Sequence, residues 1–172
     1  MKGAMTAEDM KRDLRENYEL PDEETERYLS AGTTFRDLKR SCLYSCLTGR
    51  PLDAILALRR EKSWWQVEMA LHLTPAAYRA AWIRHCADRL HRWWGVDEKR
   101  AEVMMTEGYP MHWVKIAWLL SERSNMSMEE ILHSRTRVVK WRAWAKEHLD
   151  MDEETYNAMI ASHKNPALPP KP

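Results

Sequence analysis

The chain is predicted to be all-α: two tandem homologous multi-helix units joined by a long helix, with helical-repeat or helix-turn-helix-like packing. Three observations carry this expectation. Strand signals are weak, with no alternating Val/Ile/Thr runs and no Asn-Gly hairpin. Helix-start signals recur along the whole length. And the sequence matches itself at a steady offset of 76 residues.

In that register Tyr18-Glu19-Leu20-Pro21-Asp22-Glu23 lies beside Trp94-Gly95-Val96-Asp97-Glu98-Lys99. Leu29 falls on Met105, Gly32 on Gly108, Phe35 on Met111, Leu38 on Val114, Leu43 on Leu119, Ile55-Leu56 on Ile131-Leu132 and Arg59 on Arg135. One extra residue brings Trp64 onto Trp141 and Val67 onto Trp144. A second brings Leu71 onto Leu149, Thr74 onto Asp152 and Tyr78 onto Tyr156. The matched positions are mostly apolar or turn residues, which chance would scatter.

The elements follow in order. Residues 1–17 form a lead segment with a helix over about 6–17. The first unit, 18–93, holds helices near 21–31, 34–48, 52–60 and 63–72, then the joining helix over 75–93. The second unit, 94–163, holds helices near 97–107, 110–124, 127–135, 138–149 and 152–163. Thr34 with Asp37 and Ser127 with Glu130 are spaced as capping boxes, in which the cap hydroxyl and the carboxylate each satisfy a free backbone N–H. Thr74-Pro75 sets an N-cap before a proline at the first helical position, where a missing N–H costs nothing. Pro21, Pro51 and Pro110 sit near helix starts, and Gly32, Gly49, Gly95 and Gly108 sit at helix ends. Residues 164–172, with four prolines, read as an extended or disordered tail.

Helical spacing marks buried faces: Phe35, Leu38, Cys42 and Cys46 form one stripe, and Trp82, Cys86, Leu90 and Trp93 another. Nine tryptophans are first accounted for as core and inter-unit anchors. Trp64-Trp65 and Trp93-Trp94 are adjacent pairs whose members point about 100° apart on a helix, which puts one of each pair at the rim.

Several chemistries find no support in the pattern. The five glycines are dispersed, so there is no phosphate-cradling loop. No His-Glu-x-x-His motif and no Gly-x-Ser-x-Gly elbow occurs. Cys42 and Cys46 are half of a metal-ligand cluster, and read better as small packing residues. Glu23-Glu24, Glu129-Glu130 and Glu153-Glu154 fall in first turns, where the helix dipole accounts for them. No cofactor and no metal is expected. Three cysteines, no signal peptide and no transmembrane run make a cytoplasmic protein with reduced thiols, off the membrane, the default.

The formal net charge of +1 hides an uneven distribution. Residues 1–30 carry −4, residues 31–95 carry +6 and residues 96–172 carry −1. On the joining helix Arg84, His85, Asp88, Arg89, His91 and Arg92 fall opposite the apolar stripe. Arg84–Asp88 and Asp88–Arg92 at i,i+4 suit a solvated, salt-laced face, and the same face suits phosphate or an acidic partner.

The segment Ser63-Trp64-Trp65-Gln66-Val67-Glu68-Met69-Ala70-Leu71-His72-Leu73-Thr74-Pro75-Ala76-Ala77-Tyr78-Arg79 resembles the helix-turn-helix of bacterial regulators, through Trp64, Gln66, Val67, Leu71, Leu73 and Thr74. The small Ala of that pattern is Glu68 here, and its turn Gly is His72. The resemblance implies a helix from about residue 75 in the major groove, with Tyr78, Arg79 and Arg84 facing DNA. The whole chain also resembles tandem helical-repeat bacterial proteins of unknown function, which implies a fold and no chemistry. Two functions are therefore expected. One is a non-enzymatic interaction module that binds a protein partner through a groove or a basic helix face. The other is a DNA-binding regulator. Candidate contacts for either are Tyr78, Arg79, Arg84, Arg89 and Arg92.

Overall fold

The computed structural model describes residues 5–162, which are all-α, with eleven helices and no strand among the described residues. The predicted 164–172 tail lies outside them. The chain divides into two compact units, and the division falls between Trp82 and Ile83, inside the joining helix.

The first unit contains α1 (Ala7–Tyr18), α2 (Asp22–Ser30), α3 (Phe35–Thr48), α4 (Leu52–Glu61), α5 (Trp64–Ala70) and the start of α6 (Pro75–Trp94). Local chemistry sets the starts. Thr6 with Asp9 and Ser63 with Gln66 close reciprocal capping boxes on α1 and α5. Thr34 caps α3, and Gly49 ends it with φ +71°, a left-handed conformation that costs a residue without Cβ nothing. Thr74 Oγ1 accepts from Ala77 N, as expected for the cap of α6. Two small cores result. Leu14, Leu20, Tyr28, Leu38, Cys42 and Leu56 form one, and Tyr44, Ile55 and Val67 form the other, with Trp64, Leu71, Leu73 and Tyr78 packed against it.

The second unit contains the rest of α6, α7 (Glu98–Thr106), α8 (Met111–Ser121), α9 (Met128–Ser134), α10 (Trp141–Leu149) and α11 (Glu153–Ser162). Its core is one continuous cluster. Cys86 and Leu90 meet Met104, Val114, Leu120, Ile131, Trp144, Tyr156 and Met159. The expected Ser127–Glu130 box caps α9.

Helix starts keep the sequence register throughout. Asp22, Phe35 and Leu52 begin helices 76 residues before Glu98, Met111 and Met128. Trp64 precedes Trp141 by 77, and Pro75 precedes Glu153 by 78. Backbone closures follow suit: Leu20 N donates to Leu14 O and Val96 N to Leu90 O, after a left-handed residue that is Glu19 in one unit and Gly95 in the other.

Four expectations are corrected. The helix expected over 110–124 stops at Ser121, and the one expected from 138 begins at Trp141. The Thr34–Asp37 box closes on one side only, because the Asp37 carboxylate is drawn away to Arg59 and Trp64. Cys46 and Trp82 are exposed, although their stripe-mates Cys42, Cys86 and Leu90 are buried. The tryptophans mostly serve as expected: Trp141 and Trp144 are buried, Trp64, Trp94, Trp113 and Trp118 pack against the cores from partly buried positions, and Trp65 is 68% exposed at the rim.

Candidate functional site

The first unit has an open groove of about 1040 Å³ between α3, α5 and the first turn of α6. Its building begins with Asp37, one turn into α3. Oδ1 of Asp37 accepts from Trp64 Nε1 at 3.1 Å and from Arg59 Nε at 3.3 Å, which ties α3 to α4 and to the start of α5. One turn on, Arg40 Nη2 donates to Glu68 Oε1 at 2.6 Å, and the Tyr44 hydroxyl donates to the same oxygen. Arg40 also donates to Tyr44 through Nε at 2.9 Å and lies 4.8 Å from the Trp64 ring. Burial, reinforced by the Glu68 carboxylate, pushes the Tyr44 hydroxyl up to about 12. Burial pulls Arg40 downward, but its bonds to Tyr44 and Glu68 outweigh that and hold it above the ordinary guanidinium value. These long polar side chains bridge α3 to α5 beside the groove.

The groove above this bridge is apolar with a cationic rim. Phe35, Leu43, Leu73 and Tyr78 line it, and Trp65 and Met69 stand at its edge, 68% and 61% exposed. Arg36, Lys39, Arg40 and His72 supply positive or titratable groups. Lys39 pairs with Asp13 at 2.8 Å, while Arg36 is exposed and free of ion pairs among the described residues. The only carboxylate in the lining, Glu68, is already engaged by Arg40 and Tyr44.

The five residues singled out from sequence are dispersed along α6. Tyr78 turns inward, lining the groove and packing against the Tyr44, Ile55 and Val67 cluster. Arg79 is exposed beside Ala76, Ala77 and Ala80. Arg84 is exposed and belongs, with Arg89 and Arg92, to the second unit. Arg92 donates to Asp88 at 2.9 Å, and Arg89 is half-buried. The face expected to be solvated is therefore partly covered, with only Arg84 and His91 of it exposed. In the turn before α6, His72 adopts φ +55°, the conformation that Gly takes in a helix-turn-helix.

Sequence reasoning did not select Arg36, Lys39, Arg40, Trp65, Glu68 or Met69. Two signals pointed toward them. Trp65 was one of a pair that could not both be buried, and Arg40 and Glu68 stand where the second unit has Ile116 and Ala145. Burial also raises two thiols, Cys42 to about 12 and Cys86 to about 11, which disfavours their thiolate forms. Among the described residues no three His, Cys, Asp or Glu side chains are grouped to hold a metal ion, and no helix is long and apolar enough to cross a membrane. No family model, curated protein or solved structure matches the chain.

Proposed function

We propose that the chain is a non-enzymatic interaction module that docks a protein partner in the groove of the first unit. The observation that carries this is the pairing of exposed Trp65 and Met69 with an apolar trough. Aromatic and Met side chains are the types that anchor interfaces when water is excluded around them. The rim selects the occupant. With Arg36, Lys39 and Arg40 on one wall and its single carboxylate already bonded, the groove complements a segment with apolar residues on one face and acidic residues at its edge.

The test is selection from a display library of amphipathic helical peptides with acidic flanks, against the whole chain. Selected peptides are expected to lose about 2 kcal/mol, roughly thirtyfold in affinity, in Trp65→Ala, as for an interface anchor. Arg36→Glu should weaken them further at low salt than at high salt. Peptides that bind both variants as well as the parent would remove the groove from consideration.

The DNA-binding reading has one observation in its favour: Arg79 lies exposed beside three alanines on the first turns of α6, free of ion pairs among the described residues. It requires binding of random duplex that falls steeply between about 50 and 200 mM salt and that weakens in Arg79→Ala. Absence of duplex binding at low salt would end it.

A further inference from the structure

Arg59 and Arg135 hold equivalent places in the two units, as do Trp64 and Trp141, but the third partner differs: Asp37 in the first, Trp113 in the second. In the first unit the Arg59 and Trp64 donors converge on the Asp37 carboxylate, at 3.3 and 3.1 Å. In the second unit the Arg135 guanidinium sits in the corner of two rings, 3.9 Å from the Trp113 centroid and 4.4 Å from that of Trp141, which meet at 85°. The π faces attract its charge but accept no in-plane N–H bond. Arg135 Nε and Nη1 are buried without an acceptor among the described residues, and so is Trp141 Nε1. Buried donors of this kind are rarely left unmatched, because the unmade bond to a charged group is costly.

The surroundings fit an anion. Burial lowers the pKa of Arg135, and Tyr156 acts in the other direction; among the described residues no carboxylate pairs with it. His112 is lowered by burial, then by the nearby charges of Lys115 and Arg135. Arg137 and Lys140 are exposed on the loop that leaves Arg135, with Val138 between them 90% exposed. That loop, 135–140, contains no acidic residue. Arg135 is half-buried as a residue, but the three donor nitrogens are themselves covered, so an incoming acid group reaches them by displacing a neighbouring ring or the 135–140 loop.

We infer that Arg135 and Trp141 Nε1 form a carboxylate-binding site in the second unit, which takes from a ligand the acid group that Asp37 supplies in the first. The ligand is an Asp or Glu side chain of a peptide, or a small free carboxylate. The guanidinium donates to the carboxylate oxygens, the indole N–H adds a neutral donor, and the 135–140 loop contributes long-range attraction. This site is separate from the groove of the first unit and does not depend on it.

The experiment follows Trp indole and Arg Nε signals of the ¹⁵N-labelled full chain by NMR. Disodium succinate and a blocked peptide containing two glutamates are titrated, each against sodium chloride at equal ionic strength. Both Trp141 Nε1–H and Arg135 Nε–H should shift saturably with at least one titrant, while the Arg59 and Trp64 signals stay in place. Binding of both titrants identifies the carboxylate alone as sufficient. Binding of the peptide alone adds the 135–140 loop as a required contact. In Arg135→Gln the Trp141 shift should weaken about tenfold or more, as for loss of a charge-assisted bond. No saturable shift with either titrant up to about 50 mM, an equal shift in Arg135→Gln, or equal movement of Arg59 and Trp64 would overturn the proposal.

Discussion

Positions 40, 44 and 68 of the first unit hold Arg, Tyr and Glu, and their counterparts 116, 120 and 145 in the second hold Ile, Leu and Ala. In the second unit Leu120 and Ala145 are fully buried, and α11 packs on α8 with Tyr156 and Met159 inside the core. In the first unit the same three places form an ion pair and two hydrogen bonds, Tyr78 remains half-exposed, and the space beside it is the groove. The same helix register thus closes over an apolar trio and stays open over a polar one. A Glu in place of a small Ala must keep its carboxylate near a donor, and the long Arg–Glu bridge takes room that a direct helix contact would remove. The two Arg–Trp pairs show a complementary exchange, with a carboxylate satisfied internally in one unit and a second ring in its place in the other.

The largest effect should separate the cores. Trp144→Ala removes a side chain that is 1% exposed at the centre of the second unit and should cost about 3–5 kcal/mol in urea unfolding. The equivalent Val67→Ala in the first unit, fully buried but far smaller, should cost roughly 2 kcal/mol. Equal losses would mean that the two cores do not differ in the way their anchors suggest.

Next come the bridging residues. Glu68→Ala leaves Arg40 without its ion pair and the buried Tyr44 hydroxyl without its acceptor, for a loss of about 1–3 kcal/mol. The triple change Arg40→Ile, Tyr44→Leu and Glu68→Ala installs the residues of the second unit and leaves nothing polar to satisfy. It should lie within about 1 kcal/mol of the parent, since a well-packed apolar set can replace an ion pair at little cost. A triple variant that is less stable than the single one would break the comparison.

A smaller gain is expected at Ser41, which is fully buried with its hydroxyl unbonded among the described residues, where the second unit has Ala117. Ser41→Ala should raise stability by about 1 kcal/mol, because it removes an unsatisfied group and improves helix propensity. A loss there would show that the hydroxyl has an acceptor in solution.

The smallest effects lie in the pH profile. Helices α2 and α4 of the first unit and α7 and α9 of the second are tied by different chemistry: Tyr28 donates to Asp53 at 2.6 Å, and Arg100 donates to Glu129 at 2.7 and 2.5 Å. The Arg100 bond holds the Glu129 carboxyl below its ordinary value of 4.5. Its stabilisation is therefore present above that value and is lost as pH falls through the lower folded-state pKa. Burial, then the Asp53 bond, raises the Tyr28 hydroxyl from 10.0 to about 12. Its stabilisation is complete below pH 10 and is lost as pH rises toward 12. Denaturation titrations of Glu129→Gln should flatten the acid limb, and those of Tyr28→Phe the alkaline limb. A variant that flattens the opposite limb would sink this assignment.

Much of the architecture was legible because it is locally written. Caps at Thr34, Thr74 and Ser127 lie within three residues of the backbone groups they satisfy, so the helix starts followed from short spacings. The groove was not legible. Its walls come from Phe35 to Tyr44 and from Trp65 to Tyr78, and whether Trp65 is buried depends on neighbours some 25–30 residues away. The candidate contacts on α6 were chosen by helix-wheel position, which locates a face but not what covers it. Tyr78 and Arg89 are the cases where the covering mattered.

By itself, then, the sequence determined the all-α class, the helix boundaries to within a few residues, and the register that pairs Arg59 with Arg135 and Glu68 with Ala145. These depend on local hydrogen bonding and on periodicity along one chain. Only the tertiary structure decided that Asp37 would abandon its capping box for Arg59 and Trp64, that Trp65 and Met69 would face outward, and that Arg135 would stand without a carboxylate among the described residues. The physical reason is that exposure and hydrogen-bond satisfaction are properties of side chains from different helices meeting in space, and a competition among several donors for one carboxylate is settled only when they meet.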